Sequence, residues 1–430
     1  MDLKALDAAH VWHPFTQAAT APPSIIAVRG QGASLFTADG TEYLDLVSSW
    51  WVNLHGHANP VIAKAIADQA ATLEQVIFAD FTHEPAIRLA ERVTRRLPGD
   101  LDRVFYSDNG STAVEVALKM AQQYWGNCTQ DRTVFVAFDG GYHGDTVGAM
   151  SAGKSSGYFR AWENMLFPVE VVPFPATWDG DEDSAAKEQQ ALLALDAVFE
   201  RHPGKVAGVI IEPLVQGAAG MKMCRPEFLR ALEGRVREAG TLLILDEVMT
   251  GFGRTGELFA CIKAGIHPDL VCLSKGLTGG FLPLSMTVAT ERIYEAFLGM
   301  ELSRAFLHGH SYTANPLGCA AGLASLDLLQ APECQQRIAA IEAIHRQRLP
   351  GIARRKGVSR PRVTGTIAAF DLPGDGYGAA IGPTLKKAFL GKGLLLRPLG
   401  NVLYMLPPYC LDDIALHRAW DIIDGIIAQL

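Results

Sequence analysis

The segment LLILDEVMTGFGRTG, Leu242 to Gly256, runs apolar for four residues, meets two carboxylates at Asp246 and Glu247, and then breaks into glycines. A continuous apolar run of this length, without alternation, suits a strand covered on both faces, as in a parallel sheet flanked by helices. An acid at the end of such a strand is costly unless a cation or a set of donors meets it. The pattern recurs in RVFYS (103–107), TVFVAF (133–138), VAGVIIE (206–212), LVCLS (270–274) and LSMTVA (284–289). Helical patterns stand between the runs. TAVEVALKMAQQYW (112–125) repeats apolar residues at three- and four-residue steps, and PEFLRALEGRVREAG (226–240) opens on Pro and closes near Gly240.

This alternation predicts an α/β fold with a large domain around a mainly parallel sheet. The large domain is expected over residues 61–328. Residues 1–60 and 329–430 are expected to form a smaller α+β domain from both chain ends. In the first of these, short strands should turn at ADG (38–40); in the second, LLLRPLGNVLYMLPP (394–408) reads as a hairpin. The acidic stretch FPATWDGDEDSAAKEQQ (174–190) reads as a surface excursion.

With 49% apolar and 20% charged residues, the 430-residue chain can bury a large core and is not a disordered one. A net charge of −8 without a basic block argues against nucleic acid as a partner. The seven scattered cysteines contain no C-x-x-C and suit free thiols in a reducing compartment. No secretory signal opens the sequence and no run is long enough to span a membrane, so a cytoplasmic location is expected.

Ligands of open parallel sheets gather outside the carboxyl ends of the strands. Those ends present, in order, Gly110-Ser111 opening a helix, Tyr142 in DGGYHGD, Glu212, Asp246 and Lys275. A helix N-terminus favours an anion, although a serine there is also an ordinary cap. Asp246 suits a protonated ring nitrogen or, alternatively, an ion pair with an arginine such as Arg254. Lys275, in SKG, is either a solvated loop lysine or a nucleophile for carbonyls. Tyr142 can stack on a flat ring or sit as a rim aromatic. Together they describe one ligand, pyridoxal phosphate, with Lys275 as its Schiff-base lysine and Asp246 at its ring nitrogen. No P-loop occurs, and no G-x-G-x-x-G lies between a strand and a helix, which argues against a nucleotide-binding module or dehydrogenase.

SDNGSTAVEVALKMA, DGGYHGDTVGAMS, VIIEPLVQG, LILDEVMTGFGRTG, LVCLSKGLTGG and HGHSYTANPLGCAA resemble, in order and spacing, the class III aminotransferases of PLP fold type I. WHPFT, SSWWVNLHGH, MAQQYW and LLLRPLGNVLYMLPPY are similar to the branch of that class that aminates 8-amino-7-oxononanoate to 7,8-diaminononanoate in biotin synthesis. The resemblance implies a ping-pong transamination. It implies that Gly110 and Ser111 hold the cofactor phosphate, that Tyr142 stacks on the ring and that Glu212 belongs to the cofactor site. It also implies that Ser311 reaches the cofactor of a neighbouring subunit, making a homodimer with shared active sites. For substrate it implies Phe15, Trp50, Trp51, Gly309 and Arg397, the last gripping a carboxylate, with Tyr142, Asp145 and Lys275 at the amine end.

The donor implied is S-adenosylmethionine, with lysine as the alternative. Phe15 in WHPFT and the HGHSY of 308–312 are similar to lysine-using relatives, whereas Trp50-Trp51 leans to S-adenosylmethionine. Another ω-aminotransferase, acting on ornithine, 4-aminobutyrate or a diamine, would use the same cofactor residues, and an aminomutase or decarboxylase would need no second substrate. The H-G-H pairs His55/His57 and His308/His310 lack third and fourth ligands at metal spacing, so no metal is assigned.

Overall fold

A computed structural model describes residues 2–374 and 376–430. The first strands are β1 (Ala27–Gln31), β2 (Ser34–Thr37) and β3 (Glu42–Asp45). The middle of the chain supplies β4 (Arg103–Ser107), β5 (Val134–Phe138), β6 (Glu170–Val172) and β7 (Val206–Ile211). A short ribbon, β8 (Val215–Gln216) with β9 (Lys222–Met223), precedes β10 (Leu242–Asp246), β11 (Leu270–Leu273) and β12 (Ser285–Ala289). The last strands are β13 (Ser359–Thr364), β14 (Ile367–Asp371), β15 (Leu394–Leu395) and β16 (Val402–Met405).

The principal sheet has the order β4-β12-β11-β10-β7-β5-β6. Only β12 runs antiparallel to its neighbours. Every residue of β7, β10, β11 and β12 is buried. The reason is two-sided packing. Leu242 and Ile244 face one core, shared with the helix Gly110–Asn127, while Leu243 and Leu245 face the other. Each such side chain contributes about 1.5–3 kcal/mol on burial, so the apolar runs lack alternation. Strand β6, only three residues long, left no readable signal in the sequence.

The two chain ends share a sheet: β15 pairs in parallel with β3, in the order β1-β2-β3-β15. The hairpin expected over 394–408 does not form. Residues Leu394–Leu395 join β3, and Val402–Met405 joins β14 in a separate sheet, β13-β14-β16. Only the single bridge Leu399↔Val402 closes the turn between them. The acidic stretch at 174–190 is an excursion only in its first half. A helix, Ser184–Arg201, begins inside it, and the carboxylate of buried Glu188 takes two bonds from Arg225 at 2.7 and 2.6 Å. Among the described residues no helix is long and apolar enough to cross a membrane.

Candidate active site

The carboxyl edge of the principal sheet opens into a cavity of about 640 Å³ whose lining includes Gly110, Ser111, Tyr142, Glu212, Asp246 and Lys275. The helix Gly110–Asn127 enters this edge through a capping box: the side chain of Asn109 accepts from Thr112 N at 3.1 Å, and Thr112 Oγ1 accepts from Asn109 N. The amides of Gly110 and Ser111 have no acceptor within the helix. Glycine at 110 is a packing requirement, because a Cβ there would lie 2.5 Å from Val248 Cγ1.

Asp246 is buried, and its partner is His143 rather than Arg254. His143 Nδ1–H donates to Asp246 Oδ2 at 2.7 Å, and Val248 N donates to Oδ1 at 3.1 Å. Burial pulls the His143 imidazole down, but the bond and charge of Asp246 outweigh it, so the net direction is up. His143 Nε2 is buried without a partner. Sequence reasoning quoted His143 within DGGYHGD but gave it no role, since a histidine in a glycine-rich loop looks the same whether solvated or buried. Arg254 is 1% exposed and spends its guanidinium on backbone: Nη1–H donates to Pro407 O at 2.9 Å and Nη2–H to Asn53 O at 3.0 Å.

Lys275 is half-buried, with its Nζ 5.1 Å from the Trp51 ring centre. Burial lowers its pKa against the opposing pull of Asp246 and Glu212, and Arg254 lowers it further. Its backbone has φ 47°, an uncommon conformation for a side-chain-bearing residue. Glu212 accepts from Tyr142 N at 3.0 Å and Gly217 N at 2.9 Å, and burial pushes its carboxyl up to about 7. Tyr142 stacks on Phe159 at 5.9 Å, and its hydroxyl donates to Asp145 Oδ1 at 3.0 Å. The second acid of the opening segment, Glu247, points away from the cavity. It receives Ala260 N at 2.6 Å and Cys261 N at 2.8 Å, anchoring the helix Ala260–Ala264, and burial raises its carboxyl to about 7.

A second cavity of about 420 Å³ shares Trp51, Tyr142, Asp145 and Lys275 with the first, and Phe15, Trp50 and Arg397 line it. Arg397 Cζ lies 4.5 Å from the Trp50 ring centre, and Phe15 meets Trp50 edge-on at 5.7 Å. Tyr158, Tyr377 and Tyr404, none of them singled out in the sequence, complete this aromatic lining. Trp51 Nε1–H donates to Tyr404 Oη at 2.9 Å. The backbone that carries the tryptophans is strained: Ser48, Ser49 and Trp51 have φ of 50°, 61° and 67°, at a cost on the order of 1–3 kcal/mol each.

Gly309 and Ser311 are not brought to either cavity. They sit on an exposed loop where Ser311 O accepts from Gln75 Nε2 at 2.7 Å. Of the H-G-H histidines, His55 Nε2 meets Ser325 Oγ at 3.1 Å and His308 Nδ1 meets Lys119 Nζ at 2.8 Å, whereas His310 Nε2 is buried without a partner. Among the described residues no three His, Cys, Asp or Glu side chains gather as a metal site.

An anion-receptive helix start, a buried carboxylate held by a histidine, and a half-buried lysine thus face one cavity. The family profile described as Aminotransferase class-III matches residues 15–427. The chain belongs to the class III aminotransferases. This aminotransferase is 57% identical over 98% of its length, and 99% of the relative's, to a protein of Synechococcus elongatus named adenosylmethionine-8-amino-7-oxononanoate aminotransferase. The crystal structure of the enzyme of that name from Methanocaldococcus jannaschii superposes with a TM-score of 0.93 at 34% identity, covering 99% of this chain and 98% of that one. An amine transaminase from an uncultivated Pseudomonas species, solved in its PLP-bound form, superposes with a TM-score of 0.90 at 30% identity, covering 98% of each chain.

The residues of this aminotransferase fit pyridoxal phosphate. The first amides of the helix Gly110–Asn127 suit the phosphate, the His143-backed carboxylate of Asp246 suits a protonated ring nitrogen, and the Lys275 amine, its pKa lowered, suits the aldehyde.

Proposed function

We propose that this aminotransferase uses pyridoxal phosphate to convert 8-amino-7-oxononanoate to 7,8-diaminononanoate, with S-adenosylmethionine as amino donor. The observation that carries the reading is the junction of the two cavities at Trp51, Tyr142, Asp145 and Lys275. A cofactor-sized cleft there opens into an aromatic channel that has a guanidinium, Arg397, along it. A nine-carbon keto acid needs that combination: apolar length, and a fork that matches a carboxylate. The relatives of the same name over the full chain support it.

When bound, the cofactor supplies an aldehyde to take up the amino group and a ring to spread the charge left on the substrate carbon. Gly110 and Ser111 would hold its phosphate through backbone N–H groups, Tyr142 and Glu212 would shape the ring pocket, Asp246, with His143 behind it, would meet the ring nitrogen, and Lys275 would hold the aldehyde. Its lowered pKa favours the neutral amine, so once freed its Nζ takes the proton from the donor's amine-bearing carbon and, in the second half-cycle, returns one to C7 of the acceptor. Trp50, Trp51 and Phe15 exclude water from the acceptor chain, Arg397 grips its carboxylate, and Tyr142 with Asp145 orients the amine end.

The exposed loop carrying Gly309 and Ser311 completes the site of a second copy, giving a homodimer. Exposed Leu307 and Tyr312 on the same loop supply apolar surface for that contact. The free cysteines suit the cytoplasm. Residues 61–328 form the large domain, and 1–60 with 329–430 the small one, a division supported by the β3–β15 pairing.

Lysine as donor is the second reading, favoured by Phe15, which offers no hydroxyl to the channel. The test is product formation from 8-amino-7-oxononanoate by the holoenzyme with each donor separately, read by chromatography. Diaminononanoate formed with S-adenosylmethionine and not with lysine is expected. Product with lysine alone overturns the donor assignment, and no product with either overturns the acceptor assignment.

A further inference from the structure

We infer that Asp45 and His57 are positioning residues for the acceptor substrate, because they clamp the segment Val47–Trp51 in the shape that lines the channel with both tryptophans. The inference rests on the reading that Trp50 and Trp51 wall the substrate channel, and goes beyond it in saying what holds the wall.

Left-handed backbone at a residue with a side chain favours relaxation unless the surroundings over-determine it. The segment SSWW has three such residues and no glycine among them. Ser49, at φ 61° and ψ −91°, lies near the strained γ-turn region. What over-determines it is Asp45, the last residue of β3, whose relative exposure is 0%. Asp45 Oδ1 accepts from Val47 N at 3.1 Å, and Oδ2 accepts from Ser49 N at 2.6 Å. No lysine or arginine pairs with this carboxylate among the described residues; the ring that meets it is that of His57.

The orientation of His57 is set by a chain of bonds. Gly56 N donates to Asn53 Oδ1 at 2.8 Å, which turns the Asn53 Nδ2–H groups toward His57 Nδ1 at 3.1 Å. Nδ1 is therefore the acceptor, and Nε2–H donates to Asp45 Oδ2 at 3.0 Å. The neighbouring backbone makes room for the ring: a Cβ on Gly30 would lie 2.5 Å from His57 Cβ, and His57 N donates to Gly32 O at 2.7 Å. The far end of the segment is held separately, by Arg254 on the carbonyl of Asn53 and by Tyr404 on the Trp51 indole. Ser48 Oγ–H also donates to Leu406 O at 2.7 Å, so without Asp45 it is the amides of Val47 and Ser49 that are released. The bonds of Lys275, Asp246 and the helix start do not include Asp45 or His57, and Trp51, the tryptophan that faces Lys275, keeps its tie to Tyr404, so the cofactor end should not sense the change.

The test uses the holoenzyme with 8-amino-7-oxononanoate as varied substrate. Asp45→Asn is expected to raise its KM about tenfold, the size of one lost hydrogen bond to a charged group, with kcat changed less than about threefold and the bound-cofactor absorbance unaltered. His57→Ala should approach the same KM, whereas His57→Gln, which keeps an N–H donor, should lose about half of that effect or less on a logarithmic scale. Adding Ser49→Gly to Asp45→Asn should recover KM by about threefold, because glycine occupies this backbone at lower cost. A purely structural role for Asp45 predicts no such recovery. A KM within about twofold of the parent in both Asp45→Asn and His57→Ala overturns the inference, as does an equal fall in kcat with no change in KM. If Asp45→Asn fails to fold, the contrast of His57→Ala with His57→Gln decides the matter. Trp50→Ala and Trp51→Ala test the underlying channel reading: unchanged KM in both defeats that reading, whereas raised KM there with the clamp variants silent defeats only the clamp.

Discussion

At one end of the cleft, Ser111, Glu212, Asp246 and Lys275 lie at or within a few residues of the carboxyl ends of the principal sheet's strands; at the other, Phe15 and Arg397 come from opposite ends of the chain and meet around Trp50. The first end is fixed by strands buried on both faces, so a functional atom is set by its place just after a strand. The second is fixed by loop bonds and strained backbone, so its shape depends on individual side chains such as Asp45, Arg254 and Tyr404. The difference teaches where chemistry and selectivity reside. Substitutions at the sheet edge should act on kcat, and substitutions along the channel on KM.

The largest break expected is Lys275→Ala. It removes the amine that lines both cavities and, with it, the proposed proton carrier, so kcat should fall about 10⁴-fold, at the upper end of what general acid–base catalysis supplies. The circular dichroism spectrum should be unchanged, since Lys275 lines the cavity wall and its amine meets the face of Trp51 rather than the core. Stopped assays with 8-amino-7-oxononanoate check it; turnover within tenfold of the parent defeats the role. Next comes Asp246→Asn. A unit-charge pair at about 4 Å and an effective dielectric near 20 is worth on the order of 4 kcal/mol, or about 10³ in rate. The variant also replaces the charged partner of His143 by a neutral amide, so cofactor affinity should fall together with kcat. Retained kcat would mean that the ring nitrogen does not depend on this carboxylate.

Crossing to the channel, Arg397→Ala should raise KM for 8-amino-7-oxononanoate about 10- to 100-fold, as expected for lost charge-assisted bonds, with kcat nearly constant. An amine acceptor lacking a carboxylate should show no such loss. If both acceptors lose kcat equally, Arg397 belongs to the fabric of the site rather than to substrate recognition.

The same contrast explains how much was legible beforehand. The sheet-edge residues could be read in order because each follows a continuous apolar run, and two-sided burial writes that run directly into the sequence. Channel residues have no such local signature. Leu394–Leu395 and Val402–Met405 look like a hairpin, yet they pair with strands far away in sequence, β3 and β14. Arg254 was a reasonable ion-pair partner for Asp246 by proximity along the chain, but the glycine loop carries it to the carbonyls of Asn53 and Pro407. His143 went unassigned for the converse reason: its decisive bond joins the ends of β5 and β10, which only the folded sheet brings together.

The smallest effect concerns Glu247, the second acid of the segment that ends β10. Adjacent residues point to opposite sides of a strand, so when Asp246 faces the cleft Glu247 faces the core, where it anchors the helix Ala260–Ala264. Burial raises its carboxyl from 4.5 to about 7. The native state therefore holds a proton that the unfolded chain has released between these values, and the stabilising contribution, full below about 4.5, is lost as pH rises through about 7. Glutamine has no such titration and cannot accept at both of its side-chain atoms. Glu247→Gln should consequently melt below the parent at pH 5.5, and the gap should narrow on the order of 2 °C by pH 8. A gap independent of pH would show that Glu247 is ionised throughout. A change in kcat as large as that of Asp246→Asn would move this acid to the reactive side of the comparison, against the side of the strand on which its two bonds are made.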